Sequence, residues 1–269
     1  MKRLALLVML VGLSSSSCFA VTDLDRFKKP EQVSSNFSDL KLTVRGMTSH
    51  VAELFEYRIV DNSNVIQSRG FIVPLGGPDA SLFVRGAVPK LNGPFRLDFY
   101  ADHDNNLAYD VDPRLTKDHA WRLQLQDNQL NDDNQFVIVF DHNTSFSFLS
   151  DPAPPVEIGK PAVIRMKNMG GFIGKRVEAR VADSSSKRVV ALFRVPVTDK
   201  ADFDMTVPGM IETGVTYTVE VYTDDGRSTP ASVQAFRVEK AADQNGLDLV
   251  FDPQGAGVTP VNAADVVSP

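Results

Sequence analysis

The chain has 269 residues, of which 43% are hydrophobic and 23% charged, and its formal net charge is -6. Such a composition is typical of a globular protein, and the length suffices for two modest domains of about 100–150 residues each. The acidic balance argues against nucleic-acid binding, because affinity for phosphate depends on clusters of Lys and Arg.

The first 20 residues are typical of an export signal peptide. A basic start at residues 1–3 precedes an apolar run at residues 4–13, and small residues stand before the expected cleavage site after Ala20. The apolar run is too short to span a bilayer, and no later segment reaches the roughly 20 apolar residues that a transmembrane helix needs. We therefore expect an exported protein, periplasmic or extracellular, without a transmembrane segment.

Cys18 allows a second interpretation, in which it is the acylated first residue of an outer-membrane lipoprotein. Ser16 and Ser17 suit the two positions before such a cysteine, whereas Ser15 stands where lipoprotein signals carry an aliphatic residue. Ordinary cleavage after Ala20 is therefore the preferred interpretation, and a lipid anchor at Cys18 is the alternative. After ordinary cleavage the mature chain has no cysteine for a disulfide, a thiolate metal site or a nucleophile.

A polar leader, residues 21–37, precedes a region at 38–150 that we predict to be a first β-sandwich. In FEYRIV (55–60) the apolar residues alternate with Glu56 and Arg58, the pattern of a half-buried strand. Further strand-like runs lie at residues 40–46, 95–102, 121–126 and 136–140.

An acidic loop, FYADHDNNLAYDVD at 99–112, offers oxygen ligands at alternating positions. Calcium takes six to eight oxygen ligands, often from such a loop. The candidate ligands are Asp102, Asp104, Asn106, the carbonyl group of Ala108, Asp110 and Asp112. Carboxylates that converge here repel one another unless a cation or protons intervene. The alternative is an Asp/Asn-rich turn that caps its own backbone.

The loop resembles the DxDxN calcium-type loops of bacterial surface and secreted proteins, above all those in immunoglobulin-like or prealbumin-like sandwich modules. This resemblance implies a calcium ion that stiffens the first module. Two positions depart from the pattern: Leu107 replaces the usual glycine, and Pro113 stands where a bidentate Glu is usual.

The region after a proline-rich linker at 151–155 repeats the first region. VEARVADS (177–184) aligns with FEYRIVDN (55–62) at an offset of 122 residues (177 − 55). The same offset aligns residues 217–224 with 95–102, and 193–196 with 71–74. We predict an all-β chain of two tandem antiparallel sandwiches, immunoglobulin-like or prealbumin-like and alike in strand order. The second spans 156–252, before a flexible tail at 253–269.

All the histidines of the chain lie in the first region: His50, His103, His119 and His142. Imidazoles gathered at one end of a sandwich would bind copper or zinc. Their spacing matches no compact metal motif, so hydrogen-bonded or solvated loop histidines are the simpler interpretation.

No catalytic motif is present. Asp118, His119 and a nearby serine supply the residue types of a hydrolytic triad but without a Gly-x-Ser-x-Gly elbow, and we expect no enzymatic activity. Trp121 is most simply a core residue, with Phe236 as its counterpart. An exposed Trp121, close to Tyr109, would instead indicate a carbohydrate-binding surface.

These observations lead to one principal hypothesis and two alternatives. The principal hypothesis is a non-enzymatic, exported binding or scaffolding protein with a structural calcium site and a protein or glycan partner. The first alternative is a periplasmic copper or zinc protein that uses His103, His119 and His142. The second is a carbohydrate-binding module.

Overall fold

The computed structural model describes residues 36–104, 118–142, 156–198, 200–224 and 234–261. The expected signal peptide, almost all of the polar leader, the proline-rich linker and the end of the tail lie outside these residues. Ligand positions Asn106, Ala108, Asp110 and Asp112 of the acidic loop also lie outside them.

The described chain is all-β, which confirms the predicted class. It forms fifteen strands and three short 3-10 turns, at Thr48–His50, Asp127–Gln129 and Met169–Phe172. The strands, in chain order, are β1 (Phe37–Arg45), β2 (Leu54–Val60), β3 (Ile66–Ile72), β4 (Ala80–Pro89), β5 (Arg96–Asp102), β6 (His119–Gln124), β7 (Gln135–Asp141), β8 (Lys160–Met166), β9 (Arg176–Asp183), β10 (Val189–Pro196), β11 (Phe203–Ile211), β12 (Thr216–Asp224), β13 (Gln234–Ala241), β14 (Leu247–Phe251) and β15 (Thr259–Val261). In the described ranges, no helix is long and apolar enough to cross a membrane.

The same strand order occurs in both halves. The first half has a small sheet β4-β1-β7 and a larger set β3-β2-β5-β6, and the second half has β11-β8-β14 and β10-β9-β12-β13. Strand β15, from the expected tail, extends the second set by pairing with β13. The sheets are mixed rather than purely antiparallel, because β7 and β14 each run parallel to the first strand of their half. In the chain, β7 follows β6 and β14 follows β13, which both belong to the larger sheet. No tight hairpin therefore joins β7 or β14 to the strand with which it pairs, and a parallel arrangement is possible.

A parallel pair, β10 with β3, joins the larger sets into one nine-stranded sheet. Successive residues of a strand point to opposite faces of the sheet. On β10, Leu192 belongs to the core of the first half, and its neighbour Phe193 packs on the core of the second half. The two small sheets therefore cover opposite faces of the shared sheet, and the halves have common strand pairing rather than separate cores joined only by a linker.

The register of the third strand differs between the halves by one residue. Glu56 and Glu178, which lie at the same position of the repeat, pair with Phe71 and Arg194 respectively. The structural counterpart of Phe71 is thus Arg194. The sequence alignment of Phe71 with Phe193 is wrong by one position on this strand. Those two phenylalanines are instead direct partners across the parallel pair.

The polar positions of the central strands are buried as well. Glu56 is 0% exposed and Glu178 is 2% exposed. Glu56 accepts hydrogen bonds from Arg58 and Arg69, and Glu178 accepts them from Arg180 and Arg194. Segments of the opposite half cover these charges, so the faces that the alternation assigned to solvent lie inside the protein.

Candidate metal centre

Five side chains of the first half converge at one end of its sandwich. This end is where β1, β5 and β7 finish and where β2 and β6 begin. His50 ends the 3-10 turn after β1, and Glu53 immediately precedes β2. His103 follows β5, His119 opens β6 and His142 follows β7. We call this group the histidine cluster: His50, Glu53, His103, His119 and His142.

Glu53 orients two of the imidazoles. Its Oε2 atom lies 2.8 Å from His50 Nδ1, and its Oε1 atom lies 2.7 Å from His103 Nδ1. Because a carboxylate accepts hydrogen bonds, both rings carry a proton on Nδ1. His50 therefore presents the lone pair of Nε2, and that atom lies 3.3 Å from Nδ1 of His119.

The remaining rings pack around this pair. The His142 ring centroid lies 5.1 Å from that of His50, and the His103 ring stacks on His119 with centroids 6.2 Å apart. Trp121 packs against the cluster from the core side, and its side chain is 1% exposed. Its ring lies 5.3 Å from His50 and 5.6 Å from His142. The carbohydrate hypothesis required an exposed Trp121, whereas the structure buries this ring.

The environment keeps the central imidazoles neutral. Burial lowers the pKa of His50, and the opposing effect of Glu53 is not sufficient to restore it. Burial also lowers the pKa of His119, and the neighbouring His50 and His103 lower it further. Neutral imidazole is the form that binds a metal ion, so these two residues do not need to lose a charge at neutral pH before they coordinate one.

The separation of the two central nitrogens matches the distance between two ligands of a tetrahedral metal ion. Two nitrogens that each lie about 2.0–2.1 Å from such an ion are about 3.3–3.4 Å apart. In the absence of metal, His119 Nδ1 donates to His50 Nε2. A metal ion bound there would take the place of this hydrogen atom, and His119 would then carry its proton on Nε2. Metal-binding histidines commonly hydrogen-bond to a carboxylate through their other ring nitrogen, and Glu53 makes such a contact with His50.

An acidic triad adjoins the histidine cluster and consists of Asp102, Asp104 and Asp118. One carboxylate oxygen from each lies within 4.8 Å of the others. Among the described residues, no other group of three His, Cys, Asp or Glu side chains brings its ligand atoms so close together. The histidine cluster brings two imidazole nitrogens together, those of His50 and His119, but not three ligand atoms as close as those of the acidic triad. Asp102 and Asp118 are buried, and Asp118 Oδ1 accepts a hydrogen bond from the backbone N–H of His103.

Sequence reasoning found only part of this centre. It selected Asp102 and Asp104 as calcium ligands, and the structure adds Asp118 to them. It selected His103, His119 and His142 as an alternative metal site, and the structure adds His50 and Glu53. The turn that carries His50 and Glu53 contains no metal-binding motif. Only its position after β1 and before β2, at the end of the sandwich where β6 begins, could have indicated that it lies close to His119.

No protein-family model matches the chain, and no curated protein matches it significantly.

Proposed function

We propose that this chain is an exported, non-enzymatic protein that binds one divalent transition-metal ion, copper or zinc, in the histidine cluster. The observation that carries this proposal is the 3.3 Å separation of His50 Nε2 and His119 Nδ1. Both imidazoles have a lowered pKa, and Glu53 orients one of them. Copper and zinc are the ions that imidazole ligands suit best.

The scaffold in this proposal is a pair of immunoglobulin-like or prealbumin-like sandwiches that the cell exports. Support for export comes from the basic, apolar and small-residue segments at positions 1–20. Support for the sandwich type comes from the strand order repeated in both halves. Intact-mass measurement of the exported protein distinguishes cleavage after Ala20 from acylation of Cys18.

A calcium site at the acidic triad is the second candidate. Its support is the convergence of Asp102, Asp104 and Asp118, since hard cations prefer carboxylate oxygen ligands. In this second case the bound ion holds the loop that carries His103, and the histidine cluster is a hydrogen-bonded network without metal.

A calorimetric zinc titration of the untagged mature chain, freed of metal by a chelator, tests the proposal. We expect one zinc ion per chain, and we expect His50→Gln and His119→Gln each to weaken binding at least about tenfold. Asp104→Asn is the matched control, because it removes an acidic-triad ligand and leaves every imidazole in place. Zinc binding that is absent in the wild type, or unchanged in both histidine variants, rules the proposal out.

A further inference from the structure

A cavity of about 820 Å³ lies between β11 and the face of the nine-stranded sheet that carries Glu56. The small sheet of the second half ends at β11, which packs on β10 and β3. The larger sheet continues beyond β3 to β2, β5 and β6. The cavity therefore lies where the small sheet stops and the larger sheet continues. Its larger apolar side chains come from both halves and are Leu54, Phe71, Val73, Phe193, Val195 and Phe203.

The edge of β11 directs the backbone groups of two residues away from its own sheet. Directly after β8, Lys167 donates its backbone N–H to a carbonyl oxygen of β14. Successive residues of a strand direct their backbone groups to opposite sides, so Ile164 faces β11 and pairs there with Met205. Asp204 and Thr206, on either side of Met205, therefore direct their N–H and C=O groups away from β8. No described residue forms a hydrogen bond with those backbone groups.

A hydrogen bond to Pro208 supports this direction. Pro208 lies two residues after Thr206, and its carbonyl oxygen accepts a hydrogen bond from Arg69 Nη1 on β3, 3.0 Å away. Asp204 and Thr206 are both exposed and line the cavity. An open strand edge of this kind is the feature to which an extended peptide adds as a further strand.

The other half provides an internal comparison, in which an arginine occupies the edge. There, Arg194 Nη1 donates to the carbonyl oxygen of Ser81 on β4 at 3.0 Å. Ser81 and Asp204 have the same position in the repeat, since their partners on β1 and β8 are related by the same sequence offset. The counterpart of Arg194 is Phe71, which has no side-chain donor. The β11 edge is therefore left open at Asp204, where an apolar side chain replaces the arginine.

The charges in the cavity lining balance. Three acidic and three basic side chains contribute to it: Glu56, Glu157, Asp204, Arg58, Arg69 and Lys200. Glu56 accepts hydrogen bonds from both Arg58 and Arg69, so these charges compensate one another inside the cavity. A net charge of either sign on a ligand has no advantage here. The lining instead suits a ligand without charge that has apolar side chains.

We propose that this cavity binds an extended, uncharged peptide segment that adds to β11 as a further strand. The addition is antiparallel, the more stable of the two pairings. The peptide backbone exchanges hydrogen bonds with Asp204 and Thr206, and alternate side chains pack on Phe71 and Phe193. From residue 203 to residue 208, β11 spans about 17 Å, the length of about five residues of strand. This site is separate from the histidine cluster and needs no metal ion.

Calorimetric titration of the full mature chain with the acetylated, amidated peptide Thr-Val-Thr-Val-Thr tests the proposal. We expect one saturable site, with the valines turned towards the larger sheet, as Met205 is. In an antiparallel pair the threonines then lie opposite Asp204 and Thr206 and direct their N–H groups to β11. N-methylation of the threonines should therefore weaken binding at least about tenfold. N-methylation of the valines is the matched control and should be tolerated, because their N–H groups face away from β11.

Thr206→Pro removes a donor from the chain itself. Proline is tolerated on an edge strand where the missing N–H faces away from the sheet, so the urea midpoint should stay near that of the wild type. Binding of the peptide should fall at least about tenfold, because one N–H is lost from the pairing edge. Val250→Pro is the matched control, since the N–H of Val250 also faces away from β8, on the opposite edge of the same sheet.

Four results overturn the proposal: undetectable binding of the peptide, equal binding of all three peptides, loss of binding on methylation of the valines alone, and undiminished binding by Thr206→Pro. The methylated peptides decide the question by themselves if Thr206→Pro does not fold. Wild-type protein that binds decanol but none of the peptides would show a site for a small apolar molecule and would also contradict an added strand. Zinc binding in both proline variants is expected to be unchanged, which separates this result from a failure of the metal centre.

Discussion

The Nε2 atom of His50 lies 3.3 Å from the Nδ1 atom of His119, although 69 residues separate the two in the chain. The contact depends on the topology of the first half, in which β1 ends beside the start of β6. It also depends on Glu53, which fixes the His50 ring through Nδ1. The proposed metal site rests on this pair of nitrogens.

Glu53→Gln should lower zinc affinity by about 10- to 100-fold, although Glu53 is not itself a proposed ligand. The amide can still contact the rings, but it has only one accepting oxygen. The carboxylate has two, and each accepts a hydrogen bond from one Nδ1–H group. Calorimetry measures the change. Glu212→Gln, exposed in the second half, should have no effect. An unchanged affinity in Glu53→Gln would show that the ring orientation does not depend on this carboxylate.

The two halves should unfold in a single cooperative transition. Arg85 of the first half bonds to Glu220 of the second half and is 3% exposed. Arg85→Ala leaves a buried carboxylate with one cation fewer and should destabilise the whole chain by about 3–5 kcal/mol. Urea unfolding followed by fluorescence and by far-ultraviolet dichroism measures both effects.

Arg165→Ala is the control for this comparison, because it removes an exposed arginine that pairs with Asp204 and Asp248. Its effect on the free energy of unfolding should be far smaller. Two separate transitions in the wild type, or equal effects of the two substitutions, would contradict the shared-sheet architecture.

Glu178 should make stability depend on pH in the acid range. Burial by itself raises its pKa, but Arg194 and Arg180 outweigh burial and lower the pKa to about 2, from an ordinary value of 4.5. A carboxyl group with a lowered pKa stabilises the folded state fully above about pH 4.5. This contribution is lost as the pH falls from 4.5 towards 2.

Glu178→Gln should therefore be less stable than the wild type at neutral pH and should lose less stability between pH 4.5 and 2. Thermal melts across this range provide the comparison. Asp248→Asn removes an exposed partner of Arg165 and should change the slope much less. Parallel pH profiles for the wild type and Glu178→Gln would mean that Glu178 titrates normally.

Calcium should affect the protein only if the acidic triad is the true ion site. At a calcium concentration of about 100 times the dissociation constant, binding adds about 2.7 kcal/mol to the free energy of unfolding. Asp104→Asn should then abolish the rise in melting temperature, whereas His119→Gln should retain it. Identical melting curves in chelator and in millimolar calcium would eliminate this second candidate.

The sequence predicts the strands well, because a buried face imposes a period of two. FEYRIV (55–60) forms β2, and residues 136–140 lie within β7. The alternation could not predict that Glu56 is also buried, because the opposite half covers its face after folding. The one-residue shift of the third strand was likewise hidden, since a Phe-x-x-Pro match at 71–74 and 193–196 fits the sequence offset but not the pairing.

The candidate metal centre could be predicted from the sequence only in part, for a similar reason. Asp102 and Asp104 are two residues apart, so a ligand pattern in one loop was visible. Asp118 lies at the far end of the same β5–β6 connection, and His50 and Glu53 lie in the connection between β1 and β2. Only the pairing of β2, β5 and β6 brings these residues to one end of the sandwich. Local spacing cannot reveal a site that is built in this way.

The fluorescence of Trp121 provides the most direct test of the metal centre. It is the only tryptophan of the chain, and its ring lies 5.3 Å from the ring of His50. Copper(II) bound between His50 and His119 should quench its emission in proportion to copper up to one equivalent. A chelator should reverse the quenching, and the double variant His50→Gln/His119→Gln should not show it. Emission that one equivalent of copper leaves unchanged, or equal quenching in the double variant, would contradict a metal ion in the histidine cluster.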